Sequence, residues 1–187
     1  SADAAVTLMG LQRIYKKTMD PEGVLLELRR LGADVPFFCT GGMAEGFGRG
    51  DELIRMEETA GDWLVLVDPG IIVPTAEAYS WLTVPDKTNS IEGFCAQNVS
   101  CTDTKDWGND FEAPVFERYP QLAEVKKELV SLGAYRSALS GSGSAVFGQF
   151  HVETDAARAS LALGVHYRTK LTTPLSRSEY FQRMVEE

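Results

Sequence analysis

Histidine and cysteine are scarce in this chain of 187 residues: there are two histidines, His151 and His166, and three cysteines, Cys39, Cys95 and Cys101. Their spacing matches no zinc site, and an odd cysteine count fits a reducing compartment better than a disulfide framework. Positive charge is also short. Lys and Arg number 18 against 27 Asp and Glu, a formal net charge of −9. That argues against broad nucleic-acid binding, which needs a cationic face for phosphates. It is compatible with a nucleotide ligand, whose phosphates backbone N–H groups can hold. No apolar run reaches the roughly 18 residues of a membrane span, and no secretion signal is legible in the first residues. What is there, 44% hydrophobic and 24% charged residues, is enough for one ordinary domain or two small ones.

The spacing predicts a helix over residues 1–15, with Ala4, Ala5, Leu8, Met9 and Leu11 on its apolar face. Asp20-Pro21-Glu22 signals the start of a second helix, with Asp20 as cap and Pro21 at its first position. Val24, Leu25, Leu28 and Leu31 form its stripe and Gly32 its stop. The faces carrying Ala5, Leu8, Met9, Val24, Leu25 and Leu28 are expected to stay open for further strands. Five glycines between Gly41 and Asp51 predict a tight hairpin or turn. Trp63 to Val67 reads as a buried strand, and Thr75 as the cap of a short helix. Residues 84–108 read as a polar surface loop with a possible short helix near 90–98. Helices follow at 111–118 and 121–132, then strands at 135–139 and 145–150 around Ser140-Gly141-Ser142-Gly143-Ser144. Thr154 or Asp155 opens a further helix, a strand spans 165–171, and 176–187 is a terminal helix or frayed end. This order predicts an α+β fold with helices on one face of a mainly antiparallel sheet.

Two segments can carry chemistry. Ser140 to Ser144 is either a flexible turn or a loop whose glycines let the backbone approach a phosphate while serines add donors. Asp34, ahead of Val35-Pro36-Phe37-Phe38, is either a helix cap or a partly desolvated general base that takes a hydroxyl proton. Tyr79 is readable as core or as a stacking ring, and Asn109-Asp110 as a helix cap.

Taken in order, SADAAVTLMGLQRIY, LGADVPFF, the Gly-rich G-x-G-D block, VDPGIIVPTAEAY, NDFEAPVFERYP and SALSGSGSAVFGQF resemble the kinases of the GHMP superfamily. Within it they are most similar to the diphosphocytidyl-methylerythritol kinases. The resemblance covers residues 1–170. It implies a GHMP-kinase fold: residues 1–58 as the remnant of an ATP-binding N-terminal domain, and 59–187 as a C-terminal ferredoxin-like α+β domain. It implies that the chain begins after the family's phosphate-loop glycines and lacks its catalytic Lys, so that this piece alone is inactive. Carried over residue by residue, it implies Asp34 as catalytic base and Ser1 as a ligand of the nucleotide phosphates and of Mg²⁺. Gly141, Ser142 and Gly143 shape the phosphate site, while Thr75 and Tyr79 lie on the substrate side, Tyr79 against cytosine. The implied ligands are ATP, Mg²⁺ and a cytidyl-methylerythritol substrate, with no nucleic acid and no membrane, in a bacterial cytoplasm or a plastid stroma. Other GHMP kinases, such as those of homoserine or mevalonate, and a non-catalytic binding domain are the alternative readings.

Overall fold

A computed structural model describes residues 1–16, 20–58, 62–82 and 108–186. The chain forms two compact units, one of Ser1–Ala60 with Leu175–Glu187, the other of Gly61–Pro174.

In the first unit, α1 (Ala2–Tyr15) ends at Lys16, which adopts a left-handed conformation. In α2 (Pro21–Leu31) the cap is as the sequence signals: the Gly23 N–H donates to Asp20 Oδ1 at 2.8 Å. The apolar run after Asp34 is a helix, α3 (Val35–Thr40), and it packs on both α1 and α2. Their contact buries Ala5, Leu28 and Val35, with Leu8, Val24, Phe38 and Cys39 half-buried around them. Ala5 and Leu28 are therefore covered rather than open. Of the residues expected to stay open, Leu25 is exposed, and Val6, Ile14, Tyr15, Leu26 and Leu31 are exposed besides.

The glycine-rich stretch is the hairpin β1 (Ala44–Phe47) and β2 (Glu52–Arg55), paired antiparallel from Ala44↔Arg55 to Phe47↔Glu52. Its turn runs through Gly48 and Gly50, both at positive φ (62° and 88°), where glycine is the residue without a steric penalty. Beside it a bond from Arg49 to Asp51, at 2.6 Å, holds that carboxyl below its ordinary range. The C-terminal segment joins this unit as α8 (Arg177–Glu186). Arg177 Nε donates to the carbonyls of Thr40 (3.1 Å) and Gly41 (3.2 Å), and Nη2 donates to that of Met43 (3.2 Å). Tyr180 OH donates to Phe38 O at 2.8 Å. The sequence reading ran the second domain to residue 187, whereas Leu175–Glu187 clusters with the first unit.

The second unit is built on β3 (Trp63–Asp68), β4 (Arg136–Leu139), β5 (Val146–Phe150) and β6 (Arg168–Thr172), all antiparallel in the order β4-β5-β3-β6. Between β3 and β4 come α4 (Thr75–Ser80), α5 (Glu112–Arg118) and α6 (Pro120–Ser131), and between β5 and β6 comes α7 (Glu153–Leu163). This is the ferredoxin-like β-α-β-β-α-β arrangement. Helix α6 lies on β4 and β5, and α7 on β3, β5 and β6. Alternation in the strands turns Val65, Val67, Val146 and Phe150 towards these helices, where Leu122, Val125, Leu129, Ala156, Ala159 and Leu163 meet them. At Gly148 a Cβ would come within 3.0 Å of Leu129 and 3.2 Å of Ala134, so glycine permits this close approach of helix to sheet.

Two predicted caps move. Pro74, not Thr75, precedes α4, and Val152, not Thr154 or Asp155, precedes α7, neither with a side-chain cap bond. The last strand begins at Arg168 rather than 165. The predicted loop and short helix of 84–107 lie outside the described residues. Among the described residues, no helix is long and apolar enough to cross a membrane.

Candidate active site

Two of the residues singled out by sequence, Thr75 and Ser142, meet in the second unit, and a third, Tyr79, stands on the same short helix as Thr75. Thr75 is the first residue of α4, and its Oγ1 lies 3.3 Å from Ser142 Oγ in the Gly/Ser loop. One turn along α4, Tyr79 is 63% exposed. Phe111 braces it edge-on, with centroids 5.0 Å apart and planes at 89°. The exposed Thr75, the half-buried Ser142 beside it and the exposed Tyr79 thus lie on or next to α4.

The loop itself is held, not free. Gly141 and Gly143 have positive φ (56° and 86°). The Ser140 N–H donates to Ala145 O at 2.8 Å and the Gly143 N–H to Ser140 O at 2.9 Å, which closes the turn. Ser144 Oγ donates to Ile71 O, tying the loop to the chain that leads into α4. On the other side stands Asn109, whose Nδ2 donates to the carbonyls of Leu139 (2.9 Å) and Gly141 (2.8 Å). Its Oδ1 accepts the Phe111 N–H at 3.0 Å. Glu112 continues the support: one oxygen accepts the Leu139 N–H at 3.0 Å and the other meets Lys126 Nζ at 2.6 Å. The sequence reading took Asn109 for a helix cap and gave Glu112 no role. The NDFE string ahead of a helix was the available signal, but the partners lie 27 to 32 residues away.

Asp34 and Ser1 belong to the first unit. Asp34 precedes α3 and makes no side-chain cap bond, so the cap role is not taken up. Asp34 is exposed. Ser1 precedes α1, exposed and also without a cap bond. Among the described residues, no three or more His, Cys, Asp and Glu side chains gather into a group able to hold a metal ion.

The second unit has two further features. A broad groove of ≈ 900 Å³ runs along α5 and α6 past Asn109, Glu112, Phe116, Lys126 and Val130; it shares the supports of the loop but contains neither Thr75, Tyr79 nor Ser142. Near the starts of β3 and β4, Asp62 accepts from Tyr135 OH at 2.7 Å and lies 3.3 Å from His151 Nδ1. The imidazole stacks on the phenol, centroids 4.0 Å apart. Burial, then the bond to Asp62, pushes the Tyr135 hydroxyl up to about 12.

Comparison with known proteins agrees with this architecture. The family model described as GHMP kinases C terminal matches residues 99–168. A 4-diphosphocytidyl-2-C-methyl-D-erythritol kinase of Solibacter usitatus is 37% identical over 190 residues, spanning 96% of this chain and 59% of its own length. The enzyme of that name from Prosthecochloris aestuarii is 38% identical over 180 residues, spanning 92% of this chain and 62% of its own. A crystal structure of 4-(cytidine 5'-diphospho)-2C-methyl-D-erythritol kinase superposes with a TM-score of 0.70 at 32% identity, over 91% of this chain and 63% of that one. A homoserine kinase from Cytophaga hutchinsonii, at TM-score 0.54 and 15% identity, shares the fold. The chain spans about six tenths of the length of these relatives. The matched C-terminal domain, the relatives and the shared α+β fold all make this chain similar to the GHMP kinases.

Proposed function

We propose that this chain carries the acceptor side and the Gly/Ser loop of an ATP-dependent kinase that phosphorylates the 2-hydroxyl of 4-diphosphocytidyl-2-C-methyl-D-erythritol. The supporting observation is the contact of Thr75 with Ser142 in the Gly/Ser loop, with the exposed Tyr79 one turn along the same helix. An exposed aromatic ring offers a stacking face to a flat base, and hydroxyls one turn away suit the oxygens of a diphosphate. Relatives of that name at 37% and 38% identity point the same way.

In this reading Asp34 takes the proton of the substrate hydroxyl as that oxygen attacks the γ-phosphorus of ATP. An exposed carboxylate that caps nothing among the described residues is free for that work. The loop of Gly141 to Gly143 supplies N–H donors where phosphoryl charge gathers. Mg²⁺ enters with the nucleotide. Phosphates and waters hold such an ion with one or two protein oxygens, and Ser1 offers one hydroxyl. The setting is the bacterial cytoplasm or a plastid stroma.

The test is ATP-dependent phosphorylation of the cytidyl substrate by the protein at the full length of its relatives, with and without Asp34→Asn. CDP should compete with the substrate and should lose that effect in Tyr79→Ala. Turnover of homoserine in place of the cytidyl compound, or no competition by CDP, would overturn the substrate assignment.

A further inference from the structure

We infer that Asn109 is a positioning residue, which sets the direction of the Gly141–Ser142 peptide and so presents the Ser142 N–H to a phosphate oxygen; this rests on the kinase reading above. The amide of Asn109 has one arrangement that satisfies its surroundings. Oδ1 receives the Phe111 N–H, while Nδ2 faces two carbonyls, those of Leu139 and Gly141. The reverse orientation would set oxygen against two oxygens and NH₂ against N–H. Through Nδ2 the Gly141 carbonyl is drawn towards Asn109.

In a planar trans peptide the C=O and the following N–H point in opposite directions. The Ser142 N–H is therefore directed away from Asn109. Among the described residues neither it nor the Gly141 N–H has a protein acceptor. Ser142 is also the residue whose hydroxyl meets Thr75. Gly141, at φ 56°, is the residue type at which such a peptide turns over with least steric resistance. An external clamp is thus what chooses between an N–H and a carbonyl at the phosphate site. Glu112 and Lys126 steady the same strand end through the Leu139 N–H.

The experiment replaces Asn109 by Asp, which keeps the acceptor for Phe111 and loses both donated bonds. The first readout is an NMR titration of this chain with sodium pyrophosphate, following the Ser142 and Gly141 amides. Both should shift in the native chain and remain still in Asn109→Asp at neutral pH. As pH falls through the range of the new carboxyl, around 4, its protonated form can donate one bond. Part of the response should then return, which a loss of packing alone would not produce. Asn109→Ala repeats the test without a new charge if the Asp variant fails to fold. The second readout is kinetic, at the full length of the relatives. Asn109→Asp should lower kcat about 10²–10³-fold, the effect of removing one preorganised donor, with KM for the cytidyl substrate nearly unchanged. An equal pyrophosphate response in native and variant chains, or none in the native chain, overturns the clamp. Absence of kinase activity in the native protein alongside the predicted amide responses overturns the kinase reading and leaves the clamp standing.

Discussion

The two units reach order by different means. In the second, fifteen buried apolar side chains form one cluster between a four-stranded sheet and its helices. In the first, the buried cluster is Ala5, Leu28 and Val35, ringed by half-buried neighbours. The first unit makes up part of the difference with polar clips. Arg177 reaches three backbone carbonyls at the end of α3 and the start of the hairpin, and its own N–H donates to Glu58 at 2.8 Å. A side chain that satisfies carbonyls at a helix end acts where the helix cannot satisfy them itself. The comparison teaches that the half carrying the proposed loop is self-supporting, while the half carrying Asp34 leans on the far end of the chain.

The sharpest way to separate chemistry from structure is Asp34→Asn. The substitution keeps shape and removes the proton acceptor. Turnover should fall by roughly 10²–10⁴-fold, the usual worth of a general base. Asp34 is exposed and caps nothing, so the melting behaviour of the first unit should hardly change. A variant with full turnover would remove Asp34 from the mechanism, and one that unfolds the unit would restore the structural role that the missing cap bond denies.

Next in size is Phe150→Ala, in the core of the second unit. Phe150 is fully buried on β5, and emptying such a site costs about 3–5 kcal/mol. Urea denaturation should show the loss in the transition of the second unit, read by Trp63 and Trp81. A single transition that moves as a whole would show that the two units unfold together and would break the comparison.

Arg177→Ala is the counterpart for the first unit. Its guanidinium bonds are charge-assisted and part-buried, so about 2 kcal/mol should be lost. Hydrogen exchange should quicken at Gly41, whose N–H bonds to Phe37 O at 2.9 Å, and leave β3 and β5 unchanged. Tyr180→Phe removes one bond to Phe38 O and should cost about 1 kcal/mol.

Much of this was legible locally. Asp20-Pro21 announced α2 because cap chemistry acts within three residues. The glycines of the hairpin announced β1 and β2 because positive φ is a property of single residues. Thr75 and Thr154 were misleading for the same reason: good capping residues stood one or two places inside helices that begin at Thr75 and Glu153. What the sequence withheld is long-range. Nothing near Asn109 says that its amide serves carbonyls some thirty residues on. Nothing near Arg177 distinguishes a frayed tail from a clip on Thr40 to Met43. The faces of α1 and α2 are expected to stay open for further strands, and the short apolar run after Asp34, as a helix, covers Ala5 and Leu28 instead. At the candidate site, the substrate-side roles of Thr75 and Tyr79 came from the resemblance rather than from residue chemistry, and the geometry adds that Thr75 and Ser142 are neighbours.

The smallest expected effect concerns pH, and in the second unit it falls in the alkaline range. Tyr135 is held protonated by burial and by its bond to Asp62, with its hydroxyl pushed up to about 12. In the unfolded chain a phenol loses its proton near 10. Below about 10 both states keep the proton and the contribution to stability is fully present. Between about 10 and 12 the unfolded state binds fewer protons than the folded one, so stability falls as pH rises, and the contribution is lost once the folded phenol also ionises. The second unit should therefore weaken across that window while Tyr135 still absorbs as a neutral phenol. Asp62→Asn removes the negative charge but leaves the burial, which is the larger cause. It should bring the titration of Tyr135 part of the way back and narrow the window without closing it. Absorbance at the phenolate band, compared between the native chain, Asp62→Asn and Tyr135→Phe, measures both. Tyr135 is 41% exposed, so water screens part of the effect and the loss stays modest. If Asp62→Asn returned Tyr135 fully to its ordinary value, the charge and not the burial would be the cause. If Tyr135→Phe left the alkaline weakening as steep as before, the second unit would titrate through some other group.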